Sequence, residues 1–211
     1  MFGFKHTEKS LEEIVVEHMK KKYNDEFEII STEYAGFAHS NDVFYMKCNK
    51  LPNQPILVSH YKDGIIRDNY ASYYYLDQHR EIIKEIMEGI LGECLVYNDP
   101  TMNDSELGLC NSINEYMKHK SADLSTTVVI KNDKSIDFDE LVMKCEKVLK
   151  ERQILQRMLR IYVLRDNEVY KELQNKHYTE LKASIDDLYI KEYYMAFTDG
   201  FKLRTKEEYT Y

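Results

Sequence analysis

Residues Asp63 to Gly92 read DGIIRDNYASYYYLDQHREIIKEIMEGILG, and this stretch decides the fold of the first half. Asp63-Gly64 is a turn dipeptide. Asp68 and Asn69 follow, both residue types that cap helices. Beyond them Tyr75, His79, Ile82, Ile83, Ile86, Met87 and Ile90 recur at three- and four-residue spacing. That spacing puts them on one face of a helix. Gly89 and Gly92 suit its C-terminal end. The stripe is wide enough to cover a small sheet, so this helix is expected to organise the first half.

The sheet it would cover lies upstream. Ser10-Leu11-Glu12-Glu13 is a capping box, and Leu11, Ile14, Val15, Met19 and Tyr23 continue it at helical spacing. A helix from Ser10 to Tyr23 follows, broken by Asn24-Asp25. Phe27–Phe37, Val43–Cys48 and Ile56–Tyr61 are rich in β-branched and aromatic residues and bounded by turn residues, so they read as strands. Their short links favour antiparallel neighbours, because parallel pairing needs a long crossover.

Downstream the elements alternate. Cys94–Tyr97 reads as a short strand stopped by Asn98-Asp99-Pro100. Ser105–Met117 reads as a helix and Leu124–Ile130 as a strand. Asp137 with Glu140 forms a second capping box, and Ile136 can staple onto Leu141. Arg157–Arg165 reads as a strand, Asp166–Ala183 as a helix and Leu188–Phe197 as the last strand. From Gly200 onward a frayed tail is expected. The order is α-β-β-β-α-β, then α-β-α-β-α-β, which predicts an α+β fold with helices packed on mainly antiparallel sheets. Turn residues cluster at Asn98 to Asn103, so the expected parts are 1–98 and 104–211, packed separately or as one continuous domain.

Lys21-Lys22-Tyr23, then Phe27, then a meander ending in Asp68-Asn69-Tyr70 resembles uncharacterised Firmicutes protein families with a cystatin-like α-β-β-β N-terminal half. The resemblance covers residues 1–98 and implies a helix followed by a curved sheet. Many such proteins look secreted or lipid-anchored, whereas this chain has no lipid-anchoring cysteine near its start. No catalytic residue is implied.

Composition narrows the function classes. Charged residues make up 31% of the chain and apolar residues 43%, as in a globular protein rather than a disordered one. The net charge of −8 argues against general nucleic-acid binding, which needs a basic surface. No apolar run is long enough for a transmembrane helix, and MFGFKHTEKSLEE has no signal-peptide core. The expected location is therefore cytoplasmic if Met1 is the native start, and exported if a signal segment was trimmed. Cys48, Cys94, Cys110 and Cys145 are irregularly spaced and read as reduced, mostly buried thiols.

The familiar chemical signatures do not occur. There is no Gly-x-Gly-x-x-Gly, no phosphate-binding loop and no Gly-x-Ser-x-Gly elbow. None of His6, His18, His39, His60, His79, His119 and His177 stands at zinc spacing from another ligand type, although His39 and His60 could meet across the meander. No catalytic residue, metal ligand or cofactor is assigned.

What stands out is 18 tyrosines and no tryptophan. Tyr73, Tyr74 and Tyr75 cannot share one helix side, since neighbours differ by about 100°. Tyr193 and Tyr194 point to opposite faces of a strand. Simple alternation along the last strand would set Tyr189, Tyr193, Met195 and Phe197 on one face and Leu188, Ile190, Tyr194 and Ala196 on the other. Lys144, Lys147, Lys150, Arg152, Arg157, Arg160 and Arg165 form a local basic bias. Tyrosine and arginine are favoured at protein interfaces. The expected partner-binding residues are Tyr73, Tyr74, Tyr193, Arg157, Arg160 and Tyr162. The expected function is a non-enzymatic module acting by association with a protein partner or with itself. The alternative is a small-ligand binder or an unrecognised enzyme with a pocket between the halves.

Overall fold

The computed structural model describes residues 9–36, 40–103, 105–119, 122, 125–132, 135–176, 180, 185–198 and 201–211. The chain divides into two compact units, Met1–Tyr74 with Met102–Leu109, and Tyr75–Thr101 with Cys110–Tyr211. The fold class is α+β, with two mainly antiparallel sheets of four and five strands.

In the first unit, helix α1 (Leu11–Tyr23) starts at the capping box: Ser10 Oγ accepts from the Glu13 N–H, and the Glu13 carboxylate accepts from the Ser10 N–H. It ends where Asn24 turns left-handed, at φ 48°. Its buried face carries Val15, Met19 and Tyr23. Strands β1 (Phe27–Glu33), β2 (Asn41–Cys48), β3 (Ile56–Tyr61) and β4 (Ile66–Asp68) form an antiparallel meander in sequence order. Phe27 pairs with Cys48, Met46 with Ile56 and Val58 with Asp68, so alternate residues build one buried face. A bulge at Ile30 shifts the β1 register and leaves that side chain 62% exposed. The Asp63-Gly64 turn forms as expected, with Gly64 at φ 84°. It closes onto β4, a strand too short to read from its sequence.

Asp68 is the polar centre of this unit and is fully buried. Its Oδ2 lies 2.7 Å from Lys22 Nζ. Its Oδ1 accepts from the Tyr23 hydroxyl at 2.7 Å and from the Tyr70 N–H at 3.0 Å. Its backbone oxygen accepts from the Asn103 N–H at 2.7 Å. Asn69 does a different task, accepting the Leu57 N–H at 2.8 Å. Around this centre Tyr23, Phe27 and Tyr70 pack with ring centroids 4.3–6.2 Å apart. The Tyr70 hydroxyl donates to Asp25, and burial pushes its pKa well up.

Helix α2 (Tyr70–Leu91) follows, and Gly92, at φ 76°, ends it. Tyr75, His79, Ile83, Ile86 and Met87 are buried, while Ile82 and Ile90 are half-buried at the edges of the stripe. Then come β5 (Leu95–Asn98), α3 (Ile113–Tyr116), β6 (Ser125–Ile130), α4 (Phe138–Arg152), β7 (Met158–Leu164), α5 (Val169–Leu173), α6 (Ile185–Leu188), β8 (Tyr189–Phe197) and β9 (Leu203–Thr210). The second sheet runs β5-β6-β7-β8-β9. All neighbours are antiparallel except β6 and β7, which α4 joins as a crossover. Asp137 caps α4 by accepting the Glu140 N–H at 3.0 Å.

Four expectations change. The stripe of α2, from Tyr75 onward, belongs to the second unit and not to the upstream meander, and its His79 bonds to Asn98 and Gln156. The helix read over 105–117 shrinks to α3, because Gly108 and Asn111-Ser112 hold the chain irregular and Ser112 caps only a short turn, accepting the Glu115 N–H. Of the helix read over 166–183, the described residues form α5; residues 177–179 and 181–184 lie outside the described ones. The tail read as frayed is strand β9. Its sequence LRTKEEYT lacks the apolar alternation of a half-buried strand because six of its eight residues are exposed and the other two, Leu203 and Thr205, are only half-buried.

The second unit has a closed polar ring in its core. His79 Nε2 lies 3.1 Å from Gln156 Oε1, Gln156 Nε2 donates to Thr126 Oγ1 at 3.1 Å, and Thr126 Oγ1 donates to Asn98 Oδ1 at 2.9 Å. Asn98 Nδ2 completes the circuit at 2.8 Å from His79 Nδ1. With the Asn98 amide turned over, His79 would donate to it through Nδ1 while Nε2 still faced the Gln156 oxygen. That arrangement requires an imidazolium. Burial pushes the His79 pKa down to about 4, so the neutral ring is the consistent arrangement.

The four cysteines form no disulfide with one another; Cys48, Cys94 and Cys145 are buried and Cys110 half-buried. Among the described residues no helix is long and apolar enough to cross a membrane.

Two stability measurements test these centres. Asp68→Ala strands three buried donors and is expected to cost about 3–5 kcal/mol by urea unfolding, more than Lys22→Met, which removes one of them. Equal, small losses for both would show that the carboxylate is not the organising group. For His79, the unfolded chain takes up its proton near the ordinary pKa of 6.5, whereas the folded chain holds it off until about 4. Its contribution is present above pH 6.5 and is lost as pH falls toward 4, by up to about 3 kcal/mol. The stability difference between wild type and His79→Gln should therefore shrink over that window. A difference that stays constant with pH would rule the neutral ring out.

Candidate interaction site

Strand β8 lies between β7 and β9, and the ladder register places side chains in rows across the three. Arg160 pairs with Tyr194, and Tyr194 with Glu207. One step along, Tyr162 pairs with Glu192, and Glu192 with Tyr209. Successive residues of a strand face opposite sides, so these six share one face. Arg157 sits just before β7, and its Nε donates to Ala122 O at 3.4 Å.

The opposite face is covered by α4. Tyr193 is buried there with its ring 4.9 Å from Phe138. Leu203 N–H donates to Glu146 at 2.6 Å, and Lys206 pairs with Asp139. Tyr193, expected at a partner surface, is thus a core residue, because its parity along β8 aims it at the helix.

On the first face, α5 and the end of α6 cover the β5–β6–β7 side. Val129, Tyr162, Leu164, Tyr170, Leu173, Leu188 and Tyr189 form one buried cluster. Tyr189 belongs here because a bulge pairs Leu164 with Tyr189 and leaves Ile190 over. Simple alternation put Tyr189 with Tyr193; the bulge moves it to the other face, where it stacks on Tyr162 at 4.4 Å.

The β7–β8–β9 end stays open as a shallow concavity of about 540 Å³, lined by Arg160, Tyr162, Glu192, Tyr194, Glu207, Tyr209 and Tyr211. The Arg160 guanidinium lies over the Tyr194 ring, 5.7 Å from its centroid. Its buried Nε makes no hydrogen bond among the described residues, and Glu192 Oε1 stands 3.6 Å away. Glu192 accepts the Tyr211 hydroxyl at 2.5 Å. Burial first, and this carboxylate second, push the Tyr211 pKa well above the ordinary value, so its hydroxyl remains a donor. Tyr209 donates to Glu207. Tyr209 and Tyr211 are 44% and 38% exposed.

This arrangement offers aromatic area, one cation and one exposed carboxylate. Cys145 is buried on α4, and desolvation pushes its thiol up to about 12, which favours the protonated thiol. Among the described residues no group of three histidine, cysteine or acidic side chains could hold a metal ion. His60 Nδ1 lies 3.8 Å from Asp42; His39 is outside the described residues.

Of the residues singled out from sequence, Arg160 and Tyr162 line this concavity, Tyr162 as its buried floor. Tyr73 and Tyr74 belong to the first unit, where Tyr74 stacks on Tyr70 with centroids 6.3 Å apart. The expected partner-binding residues did not include Glu192, Tyr194, Glu207, Tyr209 and Tyr211. The available signal was the alternation of Thr205, Glu207 and Tyr209 with Arg204, Lys206 and Glu208.

No family model and no curated protein matches the chain. Among solved structures, it is similar to that of a DUF5037 family protein from Ruminococcus gnavus ATCC 29149, at 14% identity, covering 93% of this chain and 95% of that one, with a TM-score of 0.43.

Proposed function

We propose that this protein works by association with a protein partner and has no catalytic role of its own. The observation that carries the reading is the open β7–β8–β9 face. It gathers Tyr194, Tyr209 and Tyr211 with Arg160 around one concavity. Tyrosine and arginine are the residue types that dominate binding energy at interfaces, because they bring large rigid area with polar tips. Arg160 is held in place by the Tyr194 ring and Glu192, so little entropy is lost when a partner meets it. Tyr73 and Tyr74 are a second, separate patch of the same chemistry in the first unit.

We read the first unit as cystatin-like on the order α1-β1-β2-β3-β4, a helix followed by an antiparallel meander. We assign the chain to a reducing compartment such as the cytoplasm, and its four cysteines without a disulfide support that. Alkylation under denaturing, non-reducing conditions should modify four thiols. Two or none would move it to an oxidising compartment.

The association reading is tested by placing a photo-crosslinking amino acid at Tyr194 and, as control, at the exposed Lys171 on α5. Irradiation in the native host should give a discrete adduct at 194 and none at 171. Matching patterns at both positions, or no adduct at 194, would sink it.

A further inference from the structure

The pattern on the open face is complementary to itself, and we propose that its partner is a second copy of this chain. This rests on the association reading above. The decisive row is Arg160, Tyr194, Glu207, set side by side on β7, β8 and β9 by the observed register. It runs cation, aromatic, anion. A two-fold axis lying along β8 turns β7 of one protomer onto β9 of its partner and keeps the row in place. Arg160 then meets Glu207 of the partner subunit twice over, and the two Tyr194 rings meet on the axis. The other in-plane axis, across the strands, sets Arg160 on its own equivalent and brings like charges together. Only the first arrangement is complementary, and it is isologous and closed, as in the commonest class of oligomer.

The neighbouring row fits. Tyr209 is exposed and stands at its end, while Glu192 on the axis is recessed, 7% exposed, and already engaged by Tyr211 and Arg160. Among the described residues Glu207 accepts on this face from the Tyr209 hydroxyl and has no cation beside it, so it can receive an arginine.

Strand addition through the terminal strand β9 is the competing mode for a second copy. Two antiparallel β9 strands related by a dyad place some residue opposite itself. Centred on the middle of the strand, that residue is Lys206, Glu207 or Glu208, each repelling its equivalent. The edge is thus protected against the pairing that the face permits.

Sedimentation and light scattering across a concentration series give the test. Wild type should rise from 25.2 kDa toward twice that mass at high micromolar concentration. Arg160→Glu and Glu207→Arg should each remain monomeric, because each presents one sign of charge to itself. Mixed in equal amounts, they should regain the doubled mass, since both cross-axis contacts are then opposite in sign. A second pair covers the case in which Arg160→Glu does not fold beside Glu192. Tyr194→Glu and Tyr194→Lys should each be monomeric and should dimerise on mixing. A wild type that stays at 25.2 kDa, or variant pairs that fold but stay monomeric when mixed, would overturn the proposal. A monomeric wild type whose Tyr194 crosslinks to a different protein would overturn the second copy and leave the association reading standing.

Discussion

One buried carboxylate holds the first unit together. Asp68 ends β4, starts α2 and anchors the last turn of α1 in a single set of contacts. A carboxylate removed from water must find donors nearby, and here they come from Lys22, Tyr23 and the Tyr70 amide. They come from the last turn of α1 and from the start of α2, two elements distant in the chain. The elements can therefore meet in only one arrangement, and the aromatic cluster of Tyr23, Phe27 and Tyr70 fills the apolar space beside it. Segment 102–109 is drawn into the same unit by the Asn103 amide and by Leu107, whose carbonyl accepts from Tyr23.

The second unit uses a different device to the same end. Its neutral ring of His79, Asn98, Thr126 and Gln156 ties α2, β5, β6 and the approach to β7 without any net charge. Every member both gives and receives, so none of the four is left without a partner. The ring also specifies the parallel β6–β7 pair, whose slanted ladder is otherwise the weaker kind. Stability in this unit should depend on pH through the His79 imidazole.

Which tyrosines meet solvent follows from parity and from one bulge. Tyr193 and Tyr194 are neighbours, yet one packs on Phe138 and the other carries Arg160. The extra residue at Ile190 then reverses the sense of alternation, sending Tyr189 into the cluster with Tyr162. The outcome is a face whose far side is core and whose near side is open only at the β9 end.

The amino-acid sequence by itself determined the local elements. Capping at Ser10 and Asp137, the Asp63-Gly64 turn, the α2 stripe and the run Ile56–Tyr61 are set by contacts within a few residues, so they read directly. It also sufficed for the α+β class, because helical and strand periodicities are local. Tertiary structure alone decided the rest. β9 is a strand only because β8 offers it a ladder; its own residues carry no buried stripe. Asp68 reads as a helix cap, and only packing makes it the ion partner of Lys22, forty-six positions away. His79 reads as one member of an apolar stripe, and only the arrival of Asn98, Thr126 and Gln156 gives it a use. The open face joins residues 160, 194 and 207, whose proximity depends on hydrogen-bond register between strands. Register is a property of the paired chains, set by bulges and by what covers each face, and no single segment contains it.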